Sequence, residues 1–295
     1  MKIHVIINPS SGKETGKQSG DALADRLSEM GHAVSRTYTR VKGDATKAAR
    51  LAADNGEEMV VACGGDGTAN EVVQGLATRE NPPALTIFAQ GTVNDFATQL
   101  QLPADAYEMA GLIDRNHRMA LDIGQINDEY FLNVASFGNV SKIGHDVDTD
   151  SKTMLGRLAY VMEGIRVAPD LLQTPMPMRI ELDTGEVIEG DYLFAGIANS
   201  RSVGGFSRFA PRALVNDGLL DLVTIERTDV MTLGQILMGL RRGSHLEHKQ
   251  VACYQAKEFS VTAEDEVAID IDGEEAGVLP ARVRVLPARI SCIIP

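Results

Sequence analysis

Cysteine is scarce in this 295-residue chain. Cys63, Cys253 and Cys292 are far apart and form no C-x-x-C pair, which argues against a disulfide framework and suits reduced thiols in a cytoplasm; Cys63 reads as core. Positive charge is also short. With 28 Lys and Arg against 41 Asp and Glu, the net charge is −13, and a nucleic-acid binder held by phosphate attraction is excluded on that ground. A membrane is not excluded, because charges are screened over about 8 Å at physiological salt and a local basic patch can act against the global sign. No stretch approaches the roughly 18 apolar residues of a transmembrane segment, and the opening KIHVIINP reads as a strand rather than a signal segment. Internal repeats and low-complexity tracts are absent. The expectation is a soluble cytoplasmic protein, at most peripheral to a membrane.

What is present is enough apolar residue, 44%, for a substantial core, in a chain long enough for two domains. Up to about residue 115 strands alternate with helices: 2–7, 16–30, 32–39, 44–55, 59–63, 68–78 and a strand at 84–89. That is a parallel α/β layout. Beyond 118 the pattern turns to strand pairs: 118–126 with 129–136, 178–182 with 187–199, and 219–226, then 255–262, 266–271 and 281–286. Helices are expected at 154–167 and 229–242, and residues 169–177 form a proline-bearing connection. This second part is β-rich and reads as a sandwich.

The most informative stretch is MVVACGGDGTAN, residues 59–70. A buried strand ends in Gly64-Gly65-Asp66-Gly67-Thr68, whose glycines allow close approach of a ligand and let successive N–H groups turn toward phosphate oxygens. The helix that follows aims its positive end at the same place. A carboxylate inside an anion-binding turn is repelled unless a divalent cation or a ribose hydroxyl stands beside it, so Asp66 implies Mg²⁺ or a nucleotide. The competing reading is a tight turn without ligand. Two further strands end in polar glycine turns, Asn8-Pro9-Ser10-Ser11-Gly12 and Gly91-Thr92-Val93-Asn94-Asp95-Phe96-Ala97, which puts all three on the sheet edge where open α/β folds bind ligands.

Other features are weighed against plainer readings. Residues 12–17 lack the spacing and the Ser or Thr of a Walker A loop; Lys13 and Lys17 either approach phosphates or are solvated. Asp146, Asp148 and Asp150 begin like an EF-hand loop, but Ser151 and Arg157 occupy its glycine and glutamate positions, so a solvated helix start is expected. His245 and His248 have no evident third ligand for zinc, and Asn139-Val140-Ser141 is a sequon only in a secreted protein. Residues 264–275 carry seven acidic side chains and no basic one, either a solvated hairpin or, at the strand end around Asp272-Gly273-Glu274, a base and its orienter.

Together these residues resemble the diacylglycerol kinase catalytic-domain family of lipid kinases, its soluble bacterial members in particular, over essentially the whole chain. The likeness rests on the three glycine turns, on Asp217-Gly218-Leu219 and on Asp272-Gly273-Glu274. It implies an α/β plus β-rich, NAD-kinase-like and diacylglycerol-kinase-like fold. A Rossmann-like parallel-sheet domain at 1–117 would hold ATP against a β-sandwich domain at 118–295 that takes the lipid, with the last ten or so residues returning to the first domain. Asn8, Pro9, Ser10, Ser11, Gly12, Thr39, Gly64, Gly65, Asp66, Gly67, Thr68, Ala69, Asn70, Glu71, Thr92, Asn94 and Asp95 would line the nucleotide. Asp66 and Asp95 would organise the catalytic Mg²⁺ through water. A structural Mg²⁺ would be held by Asp217 with the carbonyls of Leu214 and Leu219, and Asp272 would be the general base, beside Glu274.

Diacylglycerol, converted to phosphatidic acid, is the first-choice acceptor; phosphatidylglycerol, sphingoid bases and polyprenols share the same motifs. NAD kinase shares the Gly-Gly-Asp-Gly-Thr turn, but the first and third turns favour the lipid kinases. A catalytically silent lipid-binding or nucleotide-binding protein is opposed by the intact Asp66, Asp95 and Asp272. The lipid would be met at a membrane surface. Arg241, Arg242, His245, His248 and Lys249, following Val230, Met231, Leu233, Ile236, Leu237 and Leu240, either meet headgroups or end a buried helix. A homodimer is left open.

Overall fold

The computed structural model describes residues 1–138 and 176–295, apart from the side chains of Lys13 and Glu14. The helix expected at 154–167, the Asp146, Asp148, Asp150 triplet, the sequon at Asn139 and most of the 169–177 connection lie outside the described residues. The chain divides into two compact units, Met1–Ile123 with Pro287–Pro295, and Gly124–Leu286.

In the first unit β1 (Lys2–Ile7) pairs in parallel with β2 (Ala33–Tyr38) and β3 (Met59–Gly64), and β3 with β4 (Ala84–Ala89). Every residue of β3 and β4 is buried, as expected of strands covered on both faces in a parallel sheet. Helix α1 (Ser11–Glu14) is a single turn. Helix α2 (Gly16–Glu29) turns Leu23, Ala24 and Leu27 inward at helical spacing, and α3 (Asp44–Asp54) does so with Ala45, Ala48, Ala49 and Ala52. Helix α4 (Asp66–Leu76) begins two residues earlier than its sequence pattern indicates. Two helices follow β4: α5 (Asp95–Gln99) and α6 (Ala106–Arg115), the latter capped by Asp105, whose carboxylate accepts the N–H groups of Tyr107 and Glu108.

The second unit is antiparallel. The boundary falls inside β5 (Arg118–Ile126), whose end forms a hairpin with β6 (Glu129–Phe131). β7 (Val134–Phe137), β8 (Met176–Leu182), β9 (Val187–Ala198), β10 (Leu220–Glu226), β11 (Val251–Ala256), β12 (Glu258–Ala263), β13 (Ala268–Ile271) and β14 (Glu274–Val278) complete it with the start of β15 (Ala281–Ile293). Their order is β14-β13-β7-β9-β8-β12-β15, with β10 joining β9 to β11. Alternation along β10 feeds two cores: Leu220 and Leu222 join Phe131, Phe137, Ile197 and Phe259, while Val223 and Ile225 face helix α7 (Val230–Arg242) through Leu233, Ile236 and Leu240. The far end of β15 lies in the first unit, parallel to β4 at Cys292 and Leu85.

Two expected strands are each broken in two. The run 129–136 is interrupted at Leu132 and Asn133, whose N–H groups serve Asp272 instead of a ladder. The run 255–262 is split at Lys257, whose N–H turns to Asp183 Oδ1 at 3.2 Å.

Candidate active site

The three glycine turns of the first unit meet one another. Asn8 Nδ2 donates to Thr68 Oγ1 at 3.1 Å, joining the β1 and β3 turns. A Cβ on Gly12, whose φ is +59°, would lie 2.5 Å from the Gln90 carbonyl oxygen in the β4 turn, and one on Gly91 would lie 2.6 Å from the Gly65 Cα. Backbone therefore rests on backbone where any side chain would intrude. The N-cap of α4 is Gly65, which has no side chain to cap it, and a helix N-terminus of this kind favours an anion. On the same helix Asn70 Oδ1 is buried without a hydrogen-bond partner among the described residues.

Two carboxylates sit in this frame. Asp95, 6% exposed, opens α5, and Asp66 Oδ2 accepts the Asn94 N–H at 2.9 Å. Burial first, and the like charge of Asp95 second, hold the Asp66 carboxyl above its usual range, opposed by the amide donors of Asn94 and Asp95. A pair of hard oxygen donors that repel each other is chemistry suited to Mg²⁺, which keeps water and takes phosphate oxygens for the rest of its shell. Among the described residues no three His, Cys, Asp or Glu side chains form a metal cluster, so a cation here has to complete its coordination that way.

The remaining nucleotide candidates differ in what they offer. Asn94, at φ +55°, uses its side chain inside its own turn, accepting the Gly91 N–H at 2.9 Å and donating to the Gly91 carbonyl at 2.8 Å. Glu71 Oε2 accepts the Ala45 N–H of α3, which directs it away from the turn. Ala69 is buried. Ser11 Oγ donates to the Asn8 carbonyl, and Asn8 Oδ1 accepts the Ser10 N–H; Ser10, Gly67 and Thr92 are exposed. Thr39 follows β2 and donates its N–H to the Ile7 carbonyl, beside the β1 turn, while Pro9 is half-buried. Lys17 pairs with Asp21 at 2.6 Å and lies over the Tyr38 ring; the Lys13 side chain is outside the described residues.

In the second unit Asp272 and Gly273, both at positive φ (+51° and +92°), make the two-residue turn between Ile271 and Glu274, the hairpin geometry that Asp-Gly favours. The Asp272 carboxylate is fixed from the β6–β7 link: Oδ2 accepts the Leu132 N–H at 2.9 Å, and Oδ1 accepts those of Asn133 at 3.0 Å and Val134 at 2.9 Å. Glu274 opens β14, half-buried. Asp217, exposed, turns Oδ1 onto the Leu219 N–H at 3.0 Å, with Leu214 earlier in the same loop.

Three buried carboxylates among the described residues have no role from the sequence, one of them Asp270, 7% exposed, which accepts the Gly273 N–H at 2.9 Å. Asp122, 2% exposed, accepts the Ala288 N–H at 2.8 Å. Asp221, 1% exposed, has its carboxyl pushed up to about 6 by burial, against the donor Gln255 Nε2. The signal was an Asp inside an apolar run, Leu121-Asp122-Ile123 and Leu220-Asp221-Leu222. His245 is a buried core side chain with Nε2 2.9 Å from the Phe209 carbonyl oxygen. Burial holds the Cys63 and Cys292 thiols up at about 12, far from the reactive thiolate.

A parallel α/β unit with a phosphate-type glycine edge, followed by a β-sandwich unit bearing a fixed carboxylate, defines a kinase class. Comparison with known proteins narrows it. The diacylglycerol kinase catalytic domain matches residues 2–126, and the YegS C-terminal NAD kinase beta sandwich-like domain matches 133–294. The chain is 34% identical to the diacylglycerol kinase of Bacillus subtilis (strain 168), covering 100% of this chain and 96% of that one, and 32% identical to that of Staphylococcus carnosus (strain TM300), covering 100% and 95%. A crystal structure from Bacillus anthracis str. Sterne, assigned to the diacylglycerol kinases, superposes with a TM-score of 0.87 at 27% identity, covering 100% and 95%. An NAD kinase from Archaeoglobus fulgidus in complex with ATP superposes at 0.55 with 11% identity, covering 99% and 93%, a likeness of fold alone. The chain belongs to the diacylglycerol kinase catalytic-domain family and is a lipid kinase.

Proposed function

We propose that this lipid kinase transfers the γ-phosphoryl group of ATP, with Mg²⁺, to the hydroxyl of diacylglycerol, giving phosphatidic acid. The observation that carries the reading is the mutual contact of three glycine turns around Asp66 and Asp95, which fits a phosphate chain and the cation that accompanies it. Backbone N–H groups at the Gly65–Thr68 turn bind and orient the phosphates, and Asp66 and Asp95 are the residues that would hold the cation. When bound, Mg²⁺ supplies charge neutralisation at the phosphate oxygens. Asp272 accepts the lipid hydroxyl proton, with Glu274 beside it as its orienter. Direct transfer needs no covalent phosphoenzyme, since positioning and electrostatics do most of the catalysis of phosphoryl transfer. Asp217, with the Leu214 and Leu219 carbonyls, would hold a structural Mg²⁺.

The acceptor is met at a membrane surface. Among the described residues no helix is long and apolar enough to cross a membrane. Helix α7, by contrast, leaves Val230, Met231 and Met238 outward with Arg241 and Arg242 at its end, a combination that suits anionic headgroups.

The test is incubation with γ-labelled ATP, Mg²⁺ and mixed micelles of diacylglycerol, phosphatidylglycerol, a sphingoid base or a polyprenol, with NAD in parallel and mass analysis of products. Labelled phosphatidic acid is expected. Label on another lipid moves the substrate, label on NAD moves the reading to an NAD kinase, and no label on any acceptor leaves a binding protein. Asp272→Asn should keep ATP binding and lose roughly 10²–10⁴-fold in transfer; native turnover in that variant removes the assignment of the base.

A further inference from the structure

Two of the three peptide groups that clamp Asp272 are gripped from behind by one residue. The Leu132–Asn133 peptide gives its N–H to Asp272 Oδ1 at 3.0 Å while its carbonyl accepts from Asn199 Nδ2 at 2.9 Å. The Asn133–Val134 peptide gives its N–H to the same oxygen at 2.9 Å while its carbonyl accepts the Asn199 main-chain N–H at 2.8 Å. In a planar trans peptide the N–H and C=O point in opposite directions, so a hold on the carbonyl sets where the N–H points.

The grip is built into the interior. Asn199 and Ser200 are fully buried and follow directly on β9, and Asn133 is 6% exposed. Ser200 Oγ lies 2.8 Å from both Asn133 Oδ1 and the Ser202 carbonyl oxygen. A hydroxyl has one proton. It stands between two oxygen acceptors, Asn133 Oδ1 and the Ser202 carbonyl, and serves one of them at a time. The link between β6 and β7 is thereby tied through its side chain as well as its carbonyls. Such a buried polar network is costly to leave half made, and its output face is the Asp272 carboxylate.

We propose that Asn199 is a positioning residue for Asp272, acting through the Leu132 carbonyl. The inference rests on the reading of Asp272 as proton acceptor. A displacement of the acceptor by about 1 Å is enough to cost on the order of 10²-fold in rate, and losing one of two carbonyl anchors permits a displacement of that kind.

The experiment uses the full chain with Asn199→Ala and Asn199→Asp, reading kcat, KM for ATP, melting temperature and hydrogen exchange at the 132–134 amides. In Asn199→Ala, kcat should fall about 10- to 100-fold while KM for ATP stays within about twofold, and those amides should exchange faster. Asn199→Asp carries its own signature. A protonated carboxyl donates to the Leu132 carbonyl as the amide did and an ionised one cannot, so its kcat relative to the native chain should rise as pH falls. This second variant serves if the alanine variant does not fold. A folded Asn199→Ala with native kcat, or a pH-independent ratio for Asn199→Asp, overturns the proposal. If Asp272→Asn loses transfer and the Asn199 variants do not, this inference alone falls; if Asp272→Asn keeps native kcat, the base assignment falls and takes this one with it.

Discussion

At Gly91 a methyl group would stand 2.6 Å from the Gly65 Cα and 2.7 Å from Asn94 Oδ1. Gly65 Cα is backbone and cannot step aside, so Gly91→Ala has to push the β3 and β4 turns apart. Overpacking of this kind costs about 1–3 kcal/mol, and here the strain falls on the turns assigned to the phosphates. Nucleotide affinity should drop at least about tenfold, which corresponds to 1.4 kcal/mol, with the variant still folded by circular dichroism. An unchanged Kd for ATP by titration calorimetry would separate those turns from nucleotide binding. Asp221 offers a test of a different kind. Its native carboxyl titrates at about 6 because it is buried, while in the unfolded chain it titrates near 4. The native state therefore holds the proton more tightly. The group's favourable contribution is complete below pH 4 and disappears as pH rises through 6. Asp221→Asn should thus be more stable than the native chain at pH 7.5, by on the order of 1–2 kcal/mol, with the advantage gone at pH 4. Urea unfolding in the presence of EDTA at both pH values decides it; a variant no more stable at pH 7.5 would refute the buried-charge cost.

Among elements, the legible ones declared themselves through local pattern. β3 and β4 are continuous apolar runs ending in glycine turns, and α2 shows its buried face at helical spacing and ends before Gly31 at φ +89°. The hairpin of β13 and β14 is announced by Asp272-Gly273. The break at Leu132 and Asn133 was not legible, because the carboxylate that claims those amides lies 139–140 residues away at Asp272 and the amide that claims the Leu132 carbonyl lies 67 away at Asn199. No window of sequence contains that competition. The sequence pattern places the last strand at 281–286, yet β15 continues to Ile293 although Pro287 offers no ladder donor. Ala288, next to that proline, adopts φ +50° and gives its N–H to Asp122, so a side chain replaces the lost ladder. The site divides in the same way. Three glycine turns could be read as phosphate-binding from composition, but that Glu71 caps α3 and that Asn94 serves its own turn depends on which loop stands opposite. Helix α6 is a plain omission, since Asp105 with Glu108 three residues later is a recognisable start signal.

For the molecule as a whole, a net charge of −13 and a proposed membrane acceptor pull in opposite directions, and distance decides between them. At about 0.01 M salt charges act over roughly 30 Å, so an anionic bilayer meets the whole acidic chain; near 0.15 M the reach is about 8 Å and only the nearest groups count. On α7 those groups are Met231, 75% exposed, and Met238, 61% exposed, one side of the helix running to exposed Arg241 and Arg242. Sedimentation with phosphatidylglycerol-containing vesicles should accordingly pass through a maximum. Partitioning is low in dilute buffer where net repulsion dominates, highest near physiological salt, and falls again toward 1 M as the arginine contacts are screened to about 3 Å. Each arginine near an anionic surface contributes on the order of 1 kcal/mol, so Arg241→Glu with Arg242→Glu should lower the maximum at least about tenfold, while activity on diacylglycerol in neutral detergent micelles is retained. If the double variant sediments as the native chain does, α7 is not the contact. A native profile that only rises with salt would mean that the global charge governs the encounter and that no local patch offsets it.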